Sequence, residues 1–327
     1  MTVPDNTVSD NTVSDSTVSD STVPDSTVSD STVPDGPLPY RGRFAPSPSG
    51  PLHFGSLFAA VVSYLDAKTH QGQWLVRIED LDPAREQAGA SAGILATLAA
   101  HGLEWDERET YQSDQIELYR ANLATLQHQE RLYWCRCSRK QLSGQAVYPG
   151  TCAQQRRPLA EAAIRFQTLS EQDRFVDRFQ GLQTCAPREQ AGDVVVVRKD
   201  GLYAYQLAVV SDDISHGISH VVRGIDILDS VWWQRELYRA LGSAAPQYGH
   251  FPVLLKPGSE QKLSKQNRAP AVQNQTASAN LVQIFRALGM NFAPDRPPQL
   301  LQQALAEWRS GPLSAQIHLQ SQALRLD

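Results

Sequence analysis

The sequence predicts an α/β protein, and three stretches carry that prediction. Tyr40 to Ala45 reads as a short extended segment, PSPSGP breaks regularity, and LFAAVVSYLDAK places Leu57, Val61, Tyr64 and Leu65 at helical spacing. QWLVRIEDLDPAR follows as a second buried strand, Trp74–Ile78, with Glu79, Asp80 and Asp82 falling where it ends. SHVVRGIDILDSVWWQRELYRAL repeats the alternation: Val221 and Val222 in a buried strand closed by Arg223 and Gly224, then a helix started by Asp226 or Asp229. Strands alternating with helices build an open sheet whose ligand edge lies at the strand C-termini.

Composition bounds the rest. A chain of 327 residues with 41% hydrophobic content supports one or two packed domains. The first 35 residues do not belong to them: TVPDN, TVSDN, TVSDS and further copies repeat every five residues, one aspartate each and no aromatic residue. Such units bury too little apolar surface to offset backbone ordering, so a disordered acidic tail is expected, either a solubility arm or a neutral expanded repeat. With no basic n-region and no apolar core, it is not a targeting signal. The net charge is −5 overall, and without the seven aspartates of the repeat the remainder carries +2, which permits a nucleic-acid partner. RCSRK around Cys137 and QQRRP around Arg156 are the densest basic clusters, each also compatible with an ordinary solvated surface. No window approaches the roughly 20 apolar residues of a membrane span. Four cysteines without a signal peptide point to a reducing, cytoplasmic setting, where close thiols more often bind metal than pair.

The remaining elements follow in order. His53 and Gly55 sit at the first helix start, where unpaired backbone N–H groups and the positive dipole end attract phosphate; Gly55 lets it approach and an imidazole donates to it. Glu79 faces the ligand edge, while Asp80 or Asp82, with Pro83 behind it, can cap a helix. DVVVVRKDGLYAYQLAVVSDD reads as two apolar strands, Val194–Val197 and Leu202–Val210, joined by a KDG hairpin. Trp232 and Trp233 read as helix-to-sheet packing, and Cys185 as a free packed thiol. NLVQIFRALGM and LLQQALAEWR read as two amphipathic helices.

HFGS, His53 to Ser56, after RFAPSPSGPL, and KLSKQ, Lys262 to Gln266, resemble the two signatures of the class I aminoacyl-tRNA synthetases of the glutamate branch. Ser56 stands where the first signature has a second histidine, able to donate a hydrogen bond but not to carry charge; Leu263 and Gln266 replace Met and Ser in the second. The resemblance implies a Rossmann-type parallel sheet, with glutamate bound by Arg43, Phe44, Ala45, Pro46, Ser47, Glu79, Tyr205 and Arg223. In that family Arg43 meets the carboxylate, Glu79 the ammonium group, and Tyr205 and Arg223 the substrate. ATP falls to His53, Gly55, Ser56 and Lys265, with His53 and Lys265 catalytic and Mg2+ bridging phosphates without a protein cage. A lysine on a loop, favoured here by Gly258 and Ser259, neutralises charge that grows on the α-phosphate in the transition state.

WCRCSRKQLSGQAVYPGTC brings Cys135, Cys137, Tyr148 and Cys152 within eighteen residues. Three close thiolates point to a structural Zn2+ wanting a fourth ligand; generic rules turn to His128, whereas the resemblance assigns Tyr148. Three unligated cysteines are the alternative. The resemblance divides the chain into the tail 1–39, a first catalytic half 40–130, a zinc insertion 131–190, a second half 191–270 with KLSKQ, and a short helical part 271–327. About sixty residues follow KLSKQ, which likens the chain to the short glutamyl-Q tRNA(Asp) synthetases. These activate L-glutamate with ATP and transfer it to queuosine in the anticodon loop of tRNA(Asp); a monomer is expected. A truncated synthetase charging a tRNA 3′ end and a non-catalytic zinc-containing RNA-binding module are the alternatives.

Overall fold

The computed structural model describes residues 39–255, 270–309 and 323–325; the repeat tail up to residue 38 and the KLSKQ segment lie outside the described residues. Strand β1 (Arg41–Phe44), helix α1 (Phe54–Thr69) and strand β2 (Gln73–Ile78) form a βαβ unit with the two strands parallel, Arg41 opposite Gln73 and Phe44 opposite Val76. The helix is buried at Leu57, Phe58, Val61 and Leu65, while Tyr64 lies edge-on to Trp74. Helix α2 (Ala90–Ala100) leads to β3 (Thr110–Tyr111), parallel to β2. Here one expectation fails. Pro83 to Arg85 form a turn, and α2 starts only after Gly89, whose left-handed backbone (φ 76°) suits glycine. Asp82 caps nothing and instead accepts from Arg85 and Arg198 at 2.8 and 2.6 Å.

Helix α3 (Ile116–His128) precedes the middle of the chain. There β4 (Leu132–Cys135), β5 (Ala163–Phe166), β6 (Asp173–Asp177), β7 (Gly181–Cys185), a short α4 (Pro187–Gln190) and β8 (Val194–Val197) are all antiparallel neighbours, β4–β5–β8 in one sheet and β6–β7 in a hairpin.

The second correction concerns Leu202–Val210. The KDG turn forms, with Gly201 at φ 85° and Arg198 N–H bonded to the Leu202 carbonyl at 2.8 Å, but the hairpin closes after one bridge, Val197 to Tyr203. Tyr205–Ser215 is helix α5. Residues Gln206 to Asp213 are all buried, so the apolar run shows no exposed face and its periodicity cannot tell helix from strand.

Strand β9 (His220–Gly224), helix α6 (Ser230–Ala240) and strand β10 (Gln247–Phe251) make a second parallel βαβ unit. Asp229 precedes α6 as expected but makes no side-chain cap bond. Trp232 packs helix to sheet against Phe175, whereas Trp233 is partly buried and donates to the Gly192 carbonyl at 2.8 Å. Cys185 is a buried free thiol in the same cluster as Trp232. Strand β11 (Val253–Leu255) comes next, then the two anticipated amphipathic helices α7 (Ala277–Ala287) and α8 (Pro297–Arg309). The last strand, β12 (Ala323–Arg325), lies parallel to β11. Leu281, Phe285, Leu300 and Trp308 join the core cluster that contains α1.

The parallel sheets of the two βαβ units meet at β1 and β9, where Ser219 N–H donates to the Arg41 carbonyl at 3.0 Å. Strand order therefore runs outward in opposite directions from this line, the topological switch point at which open α/β sheets place their ligands. Among the described residues no helix is long and apolar enough to cross a membrane.

Gly72 fixes the return from α1 to β2: a Cβ there would lie 2.5 Å from the Tyr40 carbonyl and 2.6 Å from the Tyr40 side chain. Gly72→Ala is expected to destabilise the fold by about 1–3 kcal/mol, read as a lowered thermal midpoint with unchanged far-UV circular dichroism at 20 °C or any other temperature well below the transition.

Candidate functional site

Two adjoining cavities open at the switch point, and Ser47 and Ser49 line both. The larger, about 550 Å³, is walled by the β1 end (Phe44, Ala45, Pro46), the start of α1 (His53, Gly55, Ser56) and the β9 end (Gly224). Phe44 is the floor, its ring stacked on Trp74. His53 is the N-cap of α1 in extended backbone (φ −98°, ψ 169°); its Nδ1 accepts from Ser56 N–H at 3.2 Å and its Nε2 lies 2.8 Å from Ser56 Oγ. The serine that departs from the signature is therefore bonded to the histidine that keeps it.

Lys265 and Gln266 lie outside the described residues. The chain on either side of them borders this cavity: Val253 and Leu254 line it, and Val272 N–H donates to the Leu52 carbonyl at 2.8 Å beside a bridge from His53 to Ala271.

The smaller cavity, about 250 Å³, is lined by Ser47, Glu79, Gln112, Arg198 and Tyr205. Behind it is a buried charge cluster. Asp213 accepts from Arg43 Nε and Nη2, both at 3.2 Å, and from Arg77 Nη1 at 2.6 Å. Asp212 accepts from Gln112 at 2.7 Å and Tyr119 at 2.8 Å, with Arg77 Nε 3.5 Å away. Arg77 Nη2 stands 3.7 Å from Glu79 Oε1 and makes no hydrogen bond, leaving a buried donor beside the carboxylate of the cluster that lines the cavity.

Burial pushes the Glu79 carboxyl up to about 7, against the pull of Arg77 and Arg43. Burial likewise raises Asp212. It opposes ionisation of Asp213 too, but there Arg43 and Arg77 prevail and hold the carboxyl below its usual range. Two arginines thus face three carboxylates, and the group nearest neutrality is the one a cationic ligand would meet.

Arg43 is 5% exposed and committed to Asp213, so it supports the cavity from beneath. Arg223 approaches through Tyr205, donating to its hydroxyl at 3.3 Å; Tyr205 itself is 37% exposed at the start of α5. Arg77, Asp212, Asp213 and Gln112 were not foreseen. For Arg77, Asp212 and Asp213 the signal was there as charges inside apolar runs, RIED and VVSDD, which only buried partners tolerate; Gln112 carried none.

Cys135, Cys137 and Cys152 gather with their sulfurs within 4.8 Å of one another, a group able to hold a metal ion. Cys137 and Cys152 are 3.6 Å apart, and the Tyr148 hydroxyl is 3.3 Å from Cys135 and 3.7 Å from Cys137. Burial lifts the Cys135 thiol, yet hydrogen bonds from Tyr148 and Arg165 bring it down to about 7. Among the described residues no histidine or carboxylate joins the group, so His128 does not.

The fold and its crevice are those of a class I synthetase catalytic domain: the family described as tRNA synthetases class I (E and Q), catalytic domain, matches residues 40–158 and 151–293. A glutamate tRNA ligase from Elizabethkingia meningosepticum, solved in complex with its amino acid, superposes with a TM-score of 0.71 at 23% identity over 88% of this chain and 67% of that one. A glutamate-tRNA synthetase from Elizabethkingia anophelis gives 0.62 at 28% identity over 70% of this chain, which spans about half (53%) of its length. Among curated relatives, the glutamyl-Q tRNA(Asp) synthetase of Shewanella oneidensis is 46% identical over 83% of this chain and 91% of its own. That of Pseudomonas aeruginosa PAO1 is 48% identical over 82% and 89%. The chain belongs to the glutamyl-Q tRNA(Asp) synthetase family.

Because the folded-state carboxyl of Glu79 titrates above its unfolded value, the native protein binds the extra proton between about pH 4.5 and 7, and stability is lost as pH rises through that window. Glu79→Gln is therefore expected to raise the thermal midpoint at pH 8 and to leave it little changed at pH 5; an advantage largest at low pH would contradict this assignment.

Proposed function

We propose that the chain activates L-glutamate with ATP to glutamyl-adenylate and pyrophosphate, then transfers the glutamyl group to queuosine in tRNA(Asp). The observation that carries this is the pair of adjoining cavities at the switch point, one backed by a carboxylate short of cations and the other opening on a helix N-terminus. It is supported by the activity in the names of relatives that the chain matches over most of their length.

In this reading the glutamate ammonium group meets Glu79, restoring charge balance in the buried cluster, with Ser47 beside it and the Pro46 carbonyl holding the Glu79 N–H at 2.9 Å. Arg223, held near Tyr205, takes a carboxylate, and Arg43 keeps the cluster ordered from below. The α-carboxylate of glutamate then attacks the α-phosphate of ATP, whose phosphates lie against the α1 start at Gly55 and His53. Charge growing on the phosphate oxygens is met by His53 and by Lys265, whose chain neighbours on both sides border the same cavity. Mg2+ carried with ATP lessens charge repulsion between the phosphates and the incoming carboxylate. A hydroxyl of queuosine next attacks the activated carbonyl and releases AMP. No protein group is covalently modified.

The test pairs two assays. Glutamate-dependent exchange of pyrophosphate into ATP should proceed without tRNA, and labelled glutamate should reach tRNA(Asp) that contains queuosine but not tRNA(Asp) that lacks it. Charging of a tRNA 3′ end in either preparation would overturn the acceptor assignment. Lys265→Ala should slow exchange by about 10²–10³ with the glutamate KM nearly unchanged.

The cysteine cluster fits a structural zinc site. Four ligands at Zn–S of about 2.3 Å sit roughly 3.5–3.8 Å apart in a tetrahedron, the spacing found from Cys137 to Cys152 and from Cys137 to the Tyr148 hydroxyl. Cys135, Cys137, Tyr148 and Cys152 would hold the ion and tie the stretch that follows β4 back onto the strand's end. One zinc per chain is expected by metal analysis; Cys137→Ser should remove it and lower the thermal midpoint, while Tyr148→Phe should keep it with weaker affinity. We place the reaction in the cytoplasm and expect a monomer.

A further inference from the structure

Arg223 does not stand alone. It lies opposite His250 in the parallel register of β9 and β10, so the two side chains share a face of the sheet. Arg223 Nε donates to His250 Nε2 at 3.0 Å, Nη1 to the Tyr205 hydroxyl at 3.3 Å and Nη2 to the Ile227 carbonyl at 3.4 Å. A guanidinium is always protonated and offers donors only, so His250 Nε2 must accept. The other ring nitrogen then carries the proton, and it faces Asp177 Oδ2 at 2.6 Å.

Asp177 is itself fixed. Its Oδ1 accepts the backbone N–H groups of Phe179, Gln180 and His250 at 2.9–3.0 Å, and Gln180 donates back to the His250 carbonyl at 2.6 Å. His250 and Asp177 are 0% and 1% exposed, too deep to meet any substrate. Two fully buried polar side chains that take up one line of donation, from Arg223 through His250 to Asp177, orient that guanidinium. Burial drives the imidazole down to about 4, so it stays neutral where the enzyme works and does not repel the guanidinium.

We propose that His250 is a positioning residue for Arg223: Asp177 fixes its tautomer, and its Nε2 holds the guanidinium in the plane from which it takes the carboxylate of the amino acid. This rests on the reading of Arg223 as a glutamate ligand. Asp177 ends β6, so the hairpin inserted between the catalytic halves supplies the anchor of the chain Asp177–His250–Arg223–Tyr205.

Glutamate-dependent pyrophosphate exchange, with KM and kcat measured separately, tests it. His250→Asn keeps a donor for Asp177 but has no acceptor within reach of Arg223, and His250→Gln returns an acceptor near the Nε2 position. His250→Asn should raise the glutamate KM about tenfold, with kcat and the ATP KM within about twofold, and His250→Gln should recover most of the loss. A wild-type glutamate KM in His250→Asn, or a folded His250→Gln no better than His250→Asn, overturns the proposal. If His250→Asn does not fold, His250→Leu, which fills the space without an acceptor, should show the same rise, and a wild-type KM there overturns the proposal. Arg223→Ala separates the two levels: a raised glutamate KM with unaffected His250 variants removes only the positioning role, and an unchanged KM removes the Arg223 assignment and this proposal with it.

Discussion

The carboxylate of Asp213 is the contact on which the site depends. It joins Arg43 of β1 to Arg77 of β2 from the far side, on α5, so three elements distant in sequence converge on one buried anion. Two arginines side by side in a dry interior are tolerable only with such a partner, and removing one member of a buried pair costs about 3–5 kcal/mol because the survivor is left uncompensated. The pairing does more than hold strands. By absorbing most of the positive charge it leaves Glu79 under-compensated at the cavity surface, which suits a carboxylate meant to receive a cation.

Each half of the sheet contributes a different recognition task. The β1–α1–β2 unit offers a helix start and a loop with open backbone, apt for phosphate. The β9–α6–β10 unit offers a guanidinium fixed by hydrogen bonds on three sides, apt for carboxylate. Their junction at Ser219 and Arg41 sets the distance between the two tasks. The antiparallel segment braces both: Asp177 reaches His250 of β10, and its neighbour Arg178 donates to Asp66 of α1 at 3.0 Å.

Much of this was legible in the residues. The strand, turn and helix of the first unit, the strand and helix that open the second and the two C-terminal helices follow from apolar spacing and Gly/Pro punctuation, and the cysteine spacing announced its cluster. The failures have physical causes. YQLAVVSDD carries no helical stripe because α5 is buried on every side from Gln206 to Asp213. Asp82 resembles a helix cap, but Arg198, more than a hundred residues onward, claims it. Arg77, Asp212 and Asp213 were invisible as a set because their meaning lies in mutual approach, which neither spacing nor residue type reveals. His250 was hidden for the same reason: only the register of β10 against β9 sets it beside Arg223.

The turn after β8 ties the cysteine lobe to the mouth of the smaller cavity. Lys199 Nζ donates to the carbonyl of Arg136, the residue between Cys135 and Cys137, and its neighbour Arg198 grips Asp82 on the rim. The position of the cysteine lobe and the outline of that doorway are thus joined through two neighbouring side chains of a single turn, so whatever orders the one bears on the other.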